Sequence, residues 1–143
     1  MKKLVFLFAA LLVLSCSGDD DQNNPFLPNI AVNFQINLDL PQYNNLRFPG
    51  GIFVDRTDGR GIRGVIIYNQ NDQQFFAYEL SDPNISPSDC SALKVEGTRA
   101  SSNCGNENLY EIASFGQQIR GEGGNPLLAY RVTKNGNTLN VSN

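Results

Sequence analysis

At 143 residues, 41% apolar and 17% charged, with a formal net charge of −3, the chain fits a single globular domain. No basic stripe is present to neutralise phosphates, which excludes nucleic acid as a partner. Histidine is absent altogether, so no imidazole can serve as general base or metal ligand.

The N-terminus reads as an address. Met1-Lys2-Lys3 is a short basic start, and residues 4–14 (LVFLFAALLVL) are an unbroken apolar run. The run is too short for a membrane span, which takes about 20 residues, and suits the core of a signal peptide. Val13-Leu14-Ser15-Cys16 resembles a bacterial lipobox, which implies cleavage before Cys16, lipidation of Cys16 and attachment to a membrane. Ser17-Gly18-Asp19-Asp20-Asp21 follows, a run too charged to pack and therefore a solvated spacer. Cys-Ser-Gly-Asp-Asp-Asp also resembles the surface-export signal of Bacteroidetes lipoproteins. That resemblance implies a lipid-anchored outer-membrane protein exposed at the surface; without export it would face the periplasm. Pro25 and Pro28 extend the tether to residue 29. The predicted organisation is a signal peptide (1–15), a lipidated acidic tether (16–29) and one β domain (30–143).

Within 30–40 (IAVNFQINLDL), Ile30, Val32, Phe34, Ile36, Leu38 and Leu40 alternate with more polar neighbours, which predicts a strand that Pro41 stops. Residues 42–46 are a connection. Pro49-Gly50-Gly51 is a turn or bulge, and Ile52-Phe53-Val54 a short strand. Gly59-Arg60-Gly61-Ile62-Arg63-Gly64 matches G-x-G-x-x-G literally. A nucleotide site of that kind needs a helix next, so that its first amides meet pyrophosphate. Val65-Ile66-Ile67-Tyr68 is instead a β-branched strand, so the glycines read as a hairpin turn.

Residues 69–74 (NQNDQQ) are a further turn and 75–80 a further strand, with Phe75, Phe76 and Tyr78 as its core and flank. Two polar loop segments follow, Ser81-Asp82-Pro83-Asn84 and Ser101-Ser102-Asn103-Cys104-Gly105, with strand-like sequence between them. Tyr110-Glu111-Ile112 reads as a strand and 116–125 as a glycine-rich turn region. Strands at 127–133 and 138–141 flank Lys134-Asn135-Gly136-Asn137, where Asn-Gly is a strong hairpin signal. No stretch of helical period exceeds two turns. The fold class is all-β: an antiparallel sandwich or small barrel of short strands.

From about residue 33 onward the chain resembles the Rieske-like lipoproteins of Bacteroidetes. Gly61-Ile62-Arg63-Gly64-Val65-Ile66-Ile67-Tyr68 followed by Phe75-Phe76-Ala77-Tyr78-Glu79 looks like the hairpin leading into the family's first cluster loop. Gly121-Glu122-Gly123-Gly124-Asn125-Pro126-Leu127-Leu128-Ala129-Tyr130-Arg131-Val132 is similar to its closing pattern, and Gly136-Asn137-Thr138-Leu139-Asn140-Val141 to its final hairpin. A Rieske centre takes two Cys on one iron and two His on the other. Matched to the family's Thr-Cys-Pro-His loop, the Cys position falls on Asp82 and the His position on Asn84, with Pro83 kept. In the second loop, matching the glycine to Gly105 puts the Cys on Ser101 and the His on Cys104. A shift of one residue makes Cys104 that loop's extra, non-ligand cysteine. Neither register supplies four ligands, so the expected cofactor complement is none.

The resemblance also implies that the two loops lie against each other, which makes Cys90 and Cys104 candidates for a disulfide in an oxidising compartment. Closing roughly 15 residues would stabilise by ~3 kcal/mol in the loop-entropy model. A calcium loop reading of Asp82-x-Asn84-x-Ser86-x-Ser88 fails because Pro87 and Leu93 stand where Gly and Glu are needed. Asp55 and Asp58 sit among Arg56, Arg60 and Arg63 and read as an exposed, charge-balanced turn rather than a catalytic pair. No Ser or Cys has a recognisable activating partner, so an enzyme is not expected. The expected function is a non-catalytic binding or accessory module of the outer membrane, held by lipid on Cys16, with an envelope protein as candidate partner. Electron transfer through an unconventional iron–sulfur centre, and a surface glycan or adhesion module, are the alternatives.

Overall fold

The computed structural model describes residues 23–143. The signal peptide, Cys16 and the acidic run fall outside the described residues. Within them the chain forms β1 (Asn33–Asn37), a 3-10 turn (Pro41–Arg47), β2 (Ile52–Asp55), β3 (Val65–Asn69), β4 (Phe75–Glu79), β5 (Lys94–Glu96) and β6 (Arg99–Ser101). It continues with β7 (Leu109–Glu111), a second 3-10 turn (Ile112–Ser114), β8 (Gln117–Arg120), β9 (Ala129–Asn135) and β10 (Thr138–Ser142). The fold is all-β, as the composition and alternation predict.

Two antiparallel sheets result, six strands in the order β1-β10-β9-β4-β3-β2 and four in the order β5-β6-β7-β8. Ile36 of β1 and Val65 and Ile67 of β3 share one hydrophobic cluster although three strands separate β1 from β3. The larger sheet must therefore curl, and Tyr43 and Leu46 of the first 3-10 turn fill the inside of the curl. Tyr43 meets Phe53 of β2 edge-to-face, with centroids 4.8 Å apart.

All five residues of β3 are buried. Period-two geometry explains this once each face has its own core. Val65 and Ile67 point into the curl, while Ile66 and Tyr68 join Tyr78, Leu80, Leu93, Tyr110, Ile112 and Leu127 in a second cluster against the small sheet. β4 divides in the same way, with Phe75 and Ala77 on the first side and Phe76 and Tyr78 on the second.

Several elements differ from the sequence expectation. The strand expected over 30–40 is ordered as β1 only to Asn37. There Asn37 Oδ1 accepts the Asp39 amide at 2.9 Å and the Asn37 carbonyl accepts the Leu40 amide at 3.1 Å, an Asx-type turn that ends the ladder before Pro41. The alternation holds where the strand forms, with Ile36 fully buried; Leu40 is exposed. The 116–125 region expected as turn contains β8, in which the one apolar residue, Ile119, is exposed and gives no periodic signal. The strand-like stretch between the two polar loops forms β5 and β6, of three residues each, and Ser101, read as loop, closes β6. The last hairpin pairs Asn135 with Thr138, so its loop is Gly136-Asn137, with Gly136 at φ +57°.

The stretch 23–29, read as the end of the tether, lies against the domain. Asn24 Nδ2 donates to the Pro83 carbonyl at 2.9 Å, Asn24 Oδ1 accepts the Phe26 and Leu27 amides, and Leu27 is buried.

Candidate functional site

The 81–84 loop leaves β4, the 102–108 loop joins β6 to β7, and the 121–125 loop leads from β8 toward β9. These loops meet at one end of the fold. Their meeting point is the carboxylate of Asp82, which is fully buried. Tyr110 OH donates to its Oδ1 at 2.5 Å, and Asn108 Nδ2 donates to Oδ1 at 3.2 Å and Oδ2 at 3.0 Å. The Asn84 amide donates to Oδ1 at 3.0 Å, and Asn106 Nδ2 stands 3.5 Å from Oδ2. These donors are all neutral. A buried carboxylate without a counter-ion is tolerable when hydrogen bonds replace its lost hydration.

Asn84 carries the network outward. Its Nδ2 donates to Tyr110 OH and to the Asn125 carbonyl, both at 2.9 Å. Its Oδ1 accepts the Asn125 amide at 3.0 Å and Asn125 Nδ2 at 2.8 Å. Asn108 Oδ1 accepts the Glu122 amide and Gln118 Nε2, each at 3.1 Å. The glycines allow this approach. A Cβ on Gly121 would lie 2.1 Å from Asn108 Oδ1, and one on Gly123 would lie 2.3 Å from Asn84 Oδ1. Both have φ near +100°, where a side chain is strained in any case. Burial, then the Asp82 carboxylate, pushes the Tyr110 phenol far above its ordinary range, so it stays a donor.

The outer side of this end carries the disulfide. Cys90 and Cys104 are bonded, with Cα atoms 5.0 Å apart, tying the segment after the first loop to the second. The pairing implied by the resemblance is thus present. Ser101 takes no part in the Asp82 network: it lies in β6 opposite Lys94, and its Oγ donates to the Lys94 carbonyl at 3.4 Å. The structure therefore brings Asp82 and Asn84 together in one network, joins Cys104 to Cys90, and leaves Ser101 apart. Sequence reasoning missed Asn108, Tyr110 and Asn125. The one legible signal was the Gly121-Glu122-Gly123-Gly124-Asn125 run, whose glycine density marks a close backbone approach.

A second buried carboxylate sits beneath. Glu79 is fully buried; Oε2 accepts Tyr130 OH at 2.6 Å and the Ile62 amide at 2.7 Å, and Oε1 accepts the Arg63 amide at 3.0 Å and the Ser81 amide at 2.9 Å. Amides of the G-x-G-x-x-G loop thus bind an anion from within the protein, and β3 follows where a nucleotide site needs a helix. Asp55, expected on an exposed turn, is buried at 3% exposure. It accepts Arg60 Nη1 at 2.5 Å and the Thr57 amide at 3.0 Å. The charge balance in that expectation holds, but the exposure does not, because Arg60 folds back over the Phe34 ring and covers the carboxylate.

The donor chemistry of the loop end does not fit a Rieske cluster. The chain has no histidine, both described cysteines are bonded to each other, and Asp82 and Asn84 are spent on protein partners. Among the described residues no group of three or more His, Cys, Asp and Glu side chains is placed to hold a metal ion. The disulfide accords with an oxidising compartment outside the cytoplasm.

No protein-family model and no curated protein matches the chain. Among solved structures it is similar to a chain from the complex of reduced oxygenase and oxidized ferredoxin in carbazole 1,9a-dioxygenase: 19% identity, 66% of this chain, 82% of that chain, TM-score 0.44. It is also similar to a ferredoxin of Sphingomonas yanoikuyae B1, with 14% identity over 67% of this chain and 88% of that chain, TM-score 0.44. The ferredoxin of carbazole 1,9a-dioxygenase from Nocardioides aromaticivorans IC177 matches at 14% identity over 66% of this chain and 86% of that chain, TM-score 0.41.

Proposed function

We propose that this chain is a Rieske-like domain that has lost its cluster ligands and serves as a non-catalytic binding or accessory module of the bacterial envelope, held to the outer membrane by lipid on Cys16. The observation that carries the reading is the state of the first loop. The positions that the resemblance gives to Cys and His hold Asp82 and Asn84, and both side chains are committed to hydrogen bonds inside the protein. With no imidazole in the sequence, the family's cluster has no donor set. Three loops fixed on one another present a contact surface in place of a redox centre.

Two measurements test this. Anaerobic iron–sulfide reconstitution of the purified chain should leave it colourless and free of iron; two iron atoms per chain with visible absorption overturn the cluster-free reading. Fractionation should find the protein in outer membranes, together with an envelope protein that co-purifies. Release of a Cys16→Ser variant into the soluble fraction supports the anchor, and unchanged membrane association overturns it.

A further inference from the structure

We propose that Asp82 is the organising centre of this end of the fold: one buried carboxylate that holds the 81–84, 102–108 and 121–125 loops together where the resemblance places a metal cluster. The inference deepens the cluster-free reading of the same site. The bonds reach every one of those loops. Asp82 binds Asn84 within its own loop, Asn108 in the second, and Tyr110 in β7 of the small sheet. Through Asn84 and Asn108 the same carboxylate fixes the Asn125 and Glu122 amides of the third loop. The backbone adds a tie in the second loop, where the Ser102 amide donates to the Asn108 carbonyl at 2.9 Å.

The reason for a carboxylate at this position is its acceptor capacity. Ionised Asp offers two oxygens and no donor, so it can take the Tyr110, Asn108 and Asn84 donors at once. Asn at 82 keeps one acceptor oxygen and turns an N–H toward donors. A cysteine or an apolar residue leaves the Asn108 amide and the Tyr110 hydroxyl buried without an acceptor. The disulfide joins 90 to 104 but reaches none of the residues 121–125. It cannot by itself account for the order of the third loop.

Amide hydrogen exchange on the full mature chain, with the disulfide intact, tests the proposal. The amides to follow are Asn84, Ser102, Glu122 and Asn125, with β9 and β10 as internal reference. Asp82→Asn should speed exchange by roughly tenfold or more in all three loops and leave the reference strands slow. Tyr110→Phe, which removes one donor and keeps the carboxylate, should give the same pattern more weakly, and serves if Asp82→Asn does not fold. Faster exchange confined to 81–84 overturns the proposal, as does an equal rise at every amide, which would mean only global destabilisation. Wild-type exchange in both variants, with all three loops opening on reduction of Cys90–Cys104, also overturns it, since the disulfide would then be the organiser. Iron content tests the cluster-free reading and loop exchange tests this one, so the two can fail separately.

Discussion

Tyr110 reaches from β7 to Asp82, 28 residues earlier in the chain, and its hydroxyl donates to the carboxylate at 2.5 Å while accepting Asn84 Nδ2 at 2.9 Å. The phenol is therefore both donor and acceptor in a fully buried site. Asp82 keeps the Asn108 and Asn84 donors if Tyr110 is lost, whereas the phenol has no other acceptor among its hydrogen bonds, and this coupling is measurable. Tyr110→Phe should cost about 2 kcal/mol in urea denaturation, as for a hydrogen bond to a charged group. Combined with Asp82→Asn, the two costs should fall short of additive by about 1 kcal/mol. Additive costs would mean that the bond contributes nothing of its own.

Replacing Cys90 and Cys104 by Ser should lower stability by ~3 kcal/mol, the loop-closure value for a loop of roughly this length. Mass spectrometry after alkylation should find these two thiols only when reductant has been added first. Labelling of Cys90 or Cys104 in unreduced protein contradicts the pairing.

The glycines of the third loop should separate by surroundings. Gly123→Ala drives a methyl into Asn84 Oδ1, whereas the same change at Gly124 meets nothing within 4 Å. Both have positive φ, so both should cost about 1 kcal/mol from the backbone. Gly123→Ala should cost at least about 1 kcal/mol more, read from the urea midpoint at constant slope. Equal costs would show that the loop can move away from Asn84.

Asp55 should contribute to the loss of stability in acid. Burial alone would raise its carboxyl, but the Thr57 and Arg60 hydrogen bonds outweigh burial and hold it below the usual carboxylate value. A depressed folded value stabilises above the unfolded value and loses that contribution as pH falls through the folded one. Stability measured downward from about pH 6 should therefore decline below about pH 4, and Asp55→Asn should start lower and decline less. A variant with an acid limb as steep as wild type would remove Asp55 as its cause.

Buried tyrosines should contribute to the loss of stability in alkali. Burial, with Tyr68 nearby, pushes Tyr78 up to about 12, and burial with Glu79 raises Tyr130 further. A raised folded value stabilises fully below the ordinary value of 10.0 and loses that contribution as pH rises through the folded one. Phenolate absorbance from Tyr78 and Tyr130 should therefore appear only as the protein unfolds. A single step near 10 in folded protein would contradict their burial.

Much of the sheet was legible from single segments. The β-branched run at Val65 and the aromatic run at Phe75 form β3 and β4, and the glycines at 59, 61 and 64 make a connection that a strand follows. What misled was the edge of each reading. Alternation over 30–40 outlasted the real strand because Asn37 turns the backbone with its own side chain. β8 gave no signal because a short, half-exposed strand carries no periodic apolar face. Asp55 sat in a charged stretch that looked solvated, yet Arg60 seals it from water.

The site divides along the same line. The sequence by itself determined what the loop end cannot be, since ligand chemistry depends on residue type: without histidine no arrangement yields the Cys and His set of a Rieske centre. Only the tertiary structure decided what Asp82 and Asn84 do instead. Their partners Asn108, Tyr110 and Asn125 lie 26, 28 and 41 residues away, on elements whose pairing no local pattern encodes. Local periodicity reports which face of a segment is buried; which polar groups meet in the interior depends on how separate loops converge.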